Sequence, residues 1–290
     1  MKSMRQLINE QGTIWAAGAF DALSARLIQE AGFDALLTSG YGISSSFLGE
    51  PDVELYTMTE NLAVVRNVCN AVTIPVIADI DTGYGNPINA IRTMREFENA
   101  GASAVIIEDQ VSPKRCPVSS HRIDIITLDE GVSKIKAVAS ARKDSEVLII
   151  ARTDAVDPQE AMRRGKAYVA AGADIIQPIS KCFKDFAGLQ AMRQACGVPL
   201  SLQLLGWLEA DLDRQQIEQV AAVATYPLVA LMTAAQAMRT NLHALSLAKS
   251  SKALPQAVTK LQEFNDFIGF TRIDDMQKQF MSQDLSRTAN

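Results

Sequence analysis

The chain has 290 residues, 48% of them hydrophobic and 21% charged, the composition of a globular protein with a sizeable core. Its net charge of −5, without any long Lys/Arg block, argues against nucleic acid and anionic membrane surfaces as partners. No apolar run is long enough to span a bilayer, residues 1–15 lack the apolar stretch of a secretion signal, and the four cysteines (Cys69, Cys116, Cys182, Cys196) form no C-x-x-C pair. A reduced, cytoplasmic chain without structural zinc is the expectation.

Taken in order, eight short apolar runs alternate with longer segments of helical period. The runs are residues 14–20, 35–40, 75–81, 104–110, 147–155, 174–180, 199–205 and 225–231. Near-continuous apolar character with β-branched residues suits parallel strands buried on both faces. Three of the intervening segments end in AGF or AGA, where Gly can take the left-handed cap before the next strand. Eight such units predict an α/β fold, a (β/α)8 TIM barrel spanning 1–290 as one domain. A doubly wound sheet is the alternative, but no G-x-G-x-x-G follows the first strand. About 60 residues remain after the last run, more helix than one repeat needs. The stretch from about 235 to 290 is therefore expected to be a helical extension that packs in a homo-oligomer.

In such a barrel chemistry sits at the C-terminal strand ends. There the chain carries Ser39 and Gly40, then Asp79 and Asp81 in IADIDTGYG, then Glu108 and Asp109, then Arg152 and Asp154. Asp79 and Asp81 are two apart, so on a strand they share a face, and two such carboxylates call for a cation between them or a proton on one. Mg²⁺, which takes few direct carboxylates and keeps waters, fits that set with Glu108 joining through water. The alternative is that these acids cap helices or pair with Arg92 and Arg95. Arg152 can clamp a carboxylate in bidentate fashion, or can be a buried ion-pair partner of Asp154 or Asp81. Cys116 lies between Lys114–Arg115 and His121; neighbouring cations would make its thiol a better proton donor, and an inert loop thiol is the alternative. His243 is expected in a core or an interface, and the other cysteines in packing.

The stretches GAFDALSARLIQEAGFDALLTSGYG, LGEPD, PVIADIDTGYGN, EDQVSPKRC, IIARTDA, YVAAGAD and YPL resemble, in order, the isocitrate lyase/phosphoenolpyruvate mutase superfamily. The chain is most similar there to the 2-methylisocitrate lyase and carboxyphosphonoenolpyruvate mutase-like short lyases. Its second half, with SKCFKDFAGLQAM, is also similar to the oxaloacetate decarboxylase branch. The resemblance implies a barrel whose eighth helix swaps between subunits in a dimer of dimers. It implies Mg²⁺ (Mn²⁺ as substitute) near Asp81, supported by Asp79 and Glu108, with Asp52 close to the reacting group. Ser39, Gly40, Tyr41 and Arg152 would hold a small carboxylate substrate, with Gln203 and His121 as further contacts and Cys116 protonating the departing carbanion.

Three departures bear on specificity. The lyase loop Lys-Lys/Arg-Cys-Gly-His reads KRCPVSSHR here, with Pro117 in place of Gly and the His displaced to His121. The sixth run has Ile179 where the lyases carry a Glu. The seventh has Gln203 in place of Asn, followed by LLGWLEADL, so Ile179, Leu204, Leu205 and Trp207 would form an apolar wall. Such a wall disfavours methylisocitrate and isocitrate. The expected function is an Mg²⁺-dependent carbon–carbon lyase for a small 2-hydroxy- or 2-oxo-dicarboxylate. Oxaloacetate decarboxylation, C–P chemistry (a phosphonopyruvate hydrolase or phosphomutase) and a non-catalytic ligand-binding barrel are the alternatives.

Overall fold

A computed structural model describes residues 2–117, 119–120 and 122–281. The chain divides into two units, Met1–Thr233 and Ala234–Asn290. In the first, helix α1 (Met4–Gln11) precedes β1 (Ile14–Ala19), α2 (Ala22–Glu30), β2 (Ala35–Thr38), the short α3 (Gly40–Ile43), α4 (Met58–Ala71) and β3 (Val76–Asp79). Next come α5 (Pro87–Asn99), β4 (Ala104–Glu108), α6 (Leu128–Ala141), β5 (Leu148–Thr153), α7 (Pro158–Ala170) and β6 (Ile175–Pro178). The series ends with α8 (Phe186–Cys196), β7 (Leu200–Gln203), α9 (Trp207–Ala210), α10 (Arg214–Val220), β8 (Ala221–Tyr226) and α11 (Val229–Ala248), which runs into the second unit. All eight strands are parallel and close into a barrel, β1 pairing with β8 through Ile14↔Val223.

Local sequence explains where the helices start and stop. Asp21, Thr57, Asn86, Asp157 and Asp213 cap α2, α4, α5, α7 and α10, and Pro87 and Pro158 occupy first-turn positions that need no N–H donor. The AGF and AGA segments place Gly32, Gly101 and Gly172 at φ of 87°, 103° and 114°, the left-handed exits that the sequence pattern predicts.

Seven of the apolar runs each contain a strand, and the eighth does not match. The strand begins at Ala221, four residues before the predicted run, and Pro227 ends it; Val229 already belongs to α11. Ala221–Ala224 reads as a helix tail because Ala has weak strand preference, whereas a barrel accepts these small residues as core. Pro227 cannot continue a ladder.

Alternate strand residues fill the barrel. Ile14, Ile77, Ile106, Leu148, Ile150 and Ile175 form a layer against which Met4, wholly buried on α1, closes the N-terminal end. Full burial of such a side chain contributes about 1.5–3 kcal/mol. One end of the barrel is thus sealed with hydrocarbon, and polar side chains collect at the other.

The second unit holds the rest of α11, α12 (Leu261–Ile268) and α13 (Phe270–Phe280). Asn241 ties α11 to the Gln256 backbone through two hydrogen bonds, and the Phe264 and Phe267 rings meet at a tilt within α12. These three helices contribute no buried residue; Leu242, Phe270, Ile273 and Phe280 are exposed, as is His243. No helix among the described residues is long and apolar enough to cross a membrane.

Candidate active site

The strand ends bring most of the predicted residues into one mouth. Ser39, Gly40, Tyr41, Asp52, Asp79, Cys116, Arg152 and Gln203 line a single cavity of about 110 Å³ at the C-terminal end of the barrel. Gly40 is where the wall must be thin. A Cβ there would lie 2.9 Å from the Tyr56 hydroxyl and 3.1 Å from Asp79 Oδ2, so only Gly lets the backbone approach that carboxylate. Ser39 caps α3, its Oγ accepting from Gly42 N at 3.2 Å, which leaves the hydroxyl proton free to point into the cavity.

Asp79 and Asp81 come together, but not by strand alternation. β3 ends at Asp79, and Asp81 sits in the following turn at a left-handed φ of 48°. The turn folds it back so that its N–H donates to Asp79 Oδ1 at 3.1 Å. Burial, reinforced by the Asp81 charge, pushes the Asp79 carboxyl up to about 6. Asp81 is itself engaged: Oδ1 lies 2.6 Å from Lys114 Nζ in an ion pair, and Oδ2 accepts from the Tyr84 hydroxyl at 2.8 Å.

Lys114 is the largest surprise of the site. In sequence it reads as a cation flanking Cys116; in the fold it is buried, reaching back between Asp81 and Asp52, whose Oδ1 lies 3.0 Å from Nζ. Against the desolvation that lowers it, Asp81, Glu108 and Asp52 hold the ammonium well above the ordinary Lys range. Burial raises the Asp52 carboxyl, with Lys114 opposing. Arg115 pairs with Asp124 at 3.5 Å. Both cations that flank Cys116 in sequence are therefore committed to carboxylates.

The loop that carries Cys116 is fastened by Glu54, a residue with φ of 61°. Its carboxylate accepts from Thr82 Oγ1 (2.5 Å), Ser112 Oγ (2.7 Å) and Lys114 N (2.9 Å), joining three loops around the mouth. Cys116 is 5% exposed and lines the cavity beside Pro117. His121 lies outside the described residues. The other thiols are packing residues: burial pushes Cys69 and Cys196 up to about 11 and Cys182 up to about 12.

Arg152 pairs with Glu108 (2.9 Å) and Asp154 (2.7 Å), not with Asp81, and still has N–H groups to offer the cavity it lines. Asp52 and Asp81 thus meet Lys114, and Arg92 and Arg95 take no part in the ion pairs of this site. Glu108 is buried, its carboxyl driven well above the usual range by desolvation, and its Oε1 accepts no hydrogen bond from the described residues.

The opposite wall differs from the expected one in detail. Ile179 and Leu205 line the cavity together with Pro227 and Leu228, but Leu204 is buried in the core outside it. Trp207 also stays out; its indole N–H donates to Ser180 O at 2.8 Å and braces the loop behind the wall. Gln177, which the sequence alone does not single out, lies in this wall, its Oε1 accepting from Ser201 Oγ at 2.9 Å. Its signal was the polar residue inside an otherwise apolar strand, IIQP.

Among the described residues no three Asp, Glu, His or Cys side chains converge tightly enough to grip an ion by themselves. The charge balance nevertheless fits a divalent cation. Among the described residues Asp52, Asp81, Glu108 and Asp154 pair with only two cations, Lys114 and Arg152, Asp79 has no cationic partner, and Glu108 Oε1 is an unused acceptor in the interior. A hard cation that keeps most of its waters needs one or two such carboxylates rather than a closed cage.

Comparison with known proteins agrees with this geometry. The phosphoenolpyruvate phosphomutase family model matches residues 4–246. The 2,3-dimethylmalate lyase of Eubacterium barkeri is 36% identical over 285 residues, 96% of each chain. Oxaloacetate decarboxylase 1 of Pseudomonas fluorescens is 40% identical over 207 residues, 71% of this chain and 70% of that one. The crystal structure of the phosphoenolpyruvate phosphomutase from Streptomyces platensis subsp. rosaceus superposes with a TM-score of 0.89 at 31% identity, covering 96% of this chain and 98% of the other. With a family model matched over residues 4–246, a full-length relative at 36% identity and a closed eight-stranded parallel barrel, the chain belongs to the phosphoenolpyruvate phosphomutase family of the isocitrate lyase/phosphoenolpyruvate mutase superfamily.

Proposed function

We propose that the protein is a Mg²⁺-dependent carbon–carbon lyase that cleaves a small alkyl-substituted malate into a 2-oxo acid and a short carboxylic acid. The observation that carries this reading is the division of the cavity. Asp52, Asp79 and Arg152 stand on one side, and no charged side chain from β6, β7 or the β8 turn stands on the other. A substrate with an ionic, chelating end and an aliphatic end fits both halves. One with a third carboxylate would meet Ile179 and Leu205, which cannot hydrogen-bond it. The similarity to 2,3-dimethylmalate lyase points to the same class.

The ion would be held by Asp79 and Glu108 and, when bound, supplies positive charge beside a developing oxyanion. We place it at Asp79 rather than at Asp81, whose two oxygens Lys114 and Tyr84 already hold. Arg152, Ser39 and the Gly40 backbone orient the carboxylate of the fragment that becomes the 2-oxo acid. Asp52, made more basic by burial and lining the cavity, takes the hydroxyl proton as the C2–C3 bond breaks. The electron pair stays on C3, and Cys116 Sγ delivers the proton that completes the departing acid. For a 2,3-dimethylmalate the products are pyruvate and propionate.

A second reading has its own support. The Oxaloacetate decarboxylase 1 match and the presence of Gln177 and Gln203, rather than an acid, favour decarboxylation of a 2-oxo-dicarboxylate at the same site. C–P chemistry and a non-catalytic barrel rank below both. The exposed apolar face of α11 to α13 is proposed to pack in a homo-oligomer, a dimer of dimers with α11 exchanged between subunits. The test of the main reading is product identification from alkylmalates, oxaloacetate and phosphonopyruvate with and without Mg²⁺. Pyruvate from an alkylmalate, lost on metal removal, is the expected result.

A further inference from the structure

Asp109, the second acid of the Glu108–Asp109 pair, takes no part in the chemistry above, yet it is the most heavily bonded carboxylate of the barrel mouth. Its Oδ2 accepts from Thr153 Oγ1 (2.9 Å), Arg164 Nη1 (3.0 Å) and Tyr168 OH (2.8 Å), and its Oδ1 accepts from the Asp154 backbone N–H at 2.8 Å. Asp154 in turn accepts from Arg152 Nη2 at 2.7 Å, while Arg152 Nη1 meets Glu108, its register partner across β4 and β5. An unbroken series of contacts runs from α7, on the outside of the barrel, through Asp109 and Asp154 to the Arg152 guanidinium.

We propose that Asp109 is a positioning residue that aims Arg152 at the substrate carboxylate, acting through Asp154 and held in place by Arg164 and Tyr168. This rests on the role given above to Arg152. Two features make the aim rigid. Every member is buried or nearly so: Asp109, Thr153, Asp154, Arg164 and Tyr168 are all less than 5% exposed. The four donors around Asp109 are also matched to an acceptor-only carboxylate. An Asn in that place must turn its NH₂ toward either Asp154 N–H or the Thr153–Arg164–Tyr168 trio, setting donor against donor. The helix side of the network is fixed too, since Gly131 on α6 gives Tyr168 its space; a Cβ there would lie 2.4 Å from the hydroxyl. Arg164 Nη2 also donates to Ile126 O at 2.8 Å, and Ile126 N–H returns to Asp109 O at 2.9 Å, so the same residues pin the far end of the Cys116 loop.

The test uses oxalate, a planar two-carboxylate mimic of an enolised 2-oxo acid, titrated calorimetrically into the full chain with saturating Mg²⁺. Asp109→Asn should weaken oxalate binding about tenfold or more, consistent with a carboxylate clamp that has lost its alignment. Mg²⁺ affinity, read in a separate titration, should stay within about twofold, and the thermal transition should remain cooperative. In an Arg152→Met background the Asp109→Asn effect should shrink to less than about twofold, because a residue that acts through Arg152 has nothing left to act on. Tyr168→Phe, which removes one of three donors to Oδ2, should give a milder loss of about threefold and provides the answer if Asp109→Asn does not fold. Unchanged oxalate affinity in both variants, a parallel loss of Mg²⁺ affinity, or an equal effect in the Arg152→Met background would overturn the inference while leaving the lyase reading intact. A wild-type protein that binds Mg²⁺ but no oxalate would overturn the Arg152 clamp and this inference with it. Oxalate binding without turnover of any carbon–carbon substrate would contradict the lyase reading alone.

Discussion

The β2–β5 half of the barrel mouth and the β6–β8 half share one cavity but are built on opposite principles. The first gathers buried carboxylates around two cations and fixes each through hydrogen bonds from outside the cavity: Tyr84 on Asp81, Glu54 on the Lys114 backbone, Asp109 on Asp154. The second presents Ile179, Leu205, Pro227 and Leu228 with neutral amides between them. Under the proposed function, reaction type and substrate choice would be held by different strands, so that one could change while the other persists.

That separation can be attacked from either side. Asp79→Ala, on the ionic side, removes the proposed first ligand of the ion; Mg²⁺-dependent turnover should fall about 1,000-fold in initial-rate assays, with the fold unchanged by circular dichroism. Loss of less than about tenfold would place the ion elsewhere. Cys116→Ser should lower retro-aldol cleavage about 100-fold or more while leaving oxaloacetate decarboxylation nearly untouched, since only the first reaction needs a proton delivered by the thiol. On the apolar side, Ile179→Glu should cost about 10–200-fold in kcat/KM for an alkylmalate without altering Mg²⁺ affinity. An equal change in both would show that the two halves are not independent.

Acidity offers a third approach to the same comparison. The carboxyl of Asp79 is raised to about 6, so protons compete with the ion for it below that pH. Calorimetric Mg²⁺ affinity should therefore weaken as pH falls through about 6, by up to about tenfold per unit from Asp79 alone, with protonation of the raised Glu108 carboxyl adding to the loss. Nothing in the apolar half titrates in that range, so the pH dependence should survive Ile179→Ala less changed than it survives Asp79→Ala. The sealed end of the barrel serves as the control: Met4→Ala should cost about 2–5 kcal/mol of stability in chemical denaturation and leave KM unchanged at 25 °C.

The barrel was legible because parallel buried strands and Gly-capped helices write themselves as local patterns, and so do the strand-end residues Asp79, Glu108 and Arg152. Ala221–Ala224 escaped because residues that fill a barrel by being small carry little strand preference of their own. Lys114 was misplaced for a different reason: adjacency along the chain placed its charge beside Cys116, while the loop turns its ammonium to Asp52 and Asp81. Asp109 read as a second member of an acid pair, and only the arrival of Arg164 and Tyr168 from α7, more than fifty residues on, reveals what it holds. Long-range partners of this kind leave no periodicity to read. Trp207 and Leu204 were grouped with the wall by proximity in sequence, whereas strand alternation turns Leu204 into the core.

The proposed cleavage of an alkyl-substituted malate in the presence of Mg²⁺ can be put to the protein itself by incubating it with 2,3-dimethylmalate and Mg²⁺ and identifying the products by nuclear magnetic resonance. Pyruvate and propionate should form in equal amounts, abolished by a chelator and restored by Mg²⁺. Intact dimethylmalate beside complete conversion of oxaloacetate or phosphonopyruvate would contradict it.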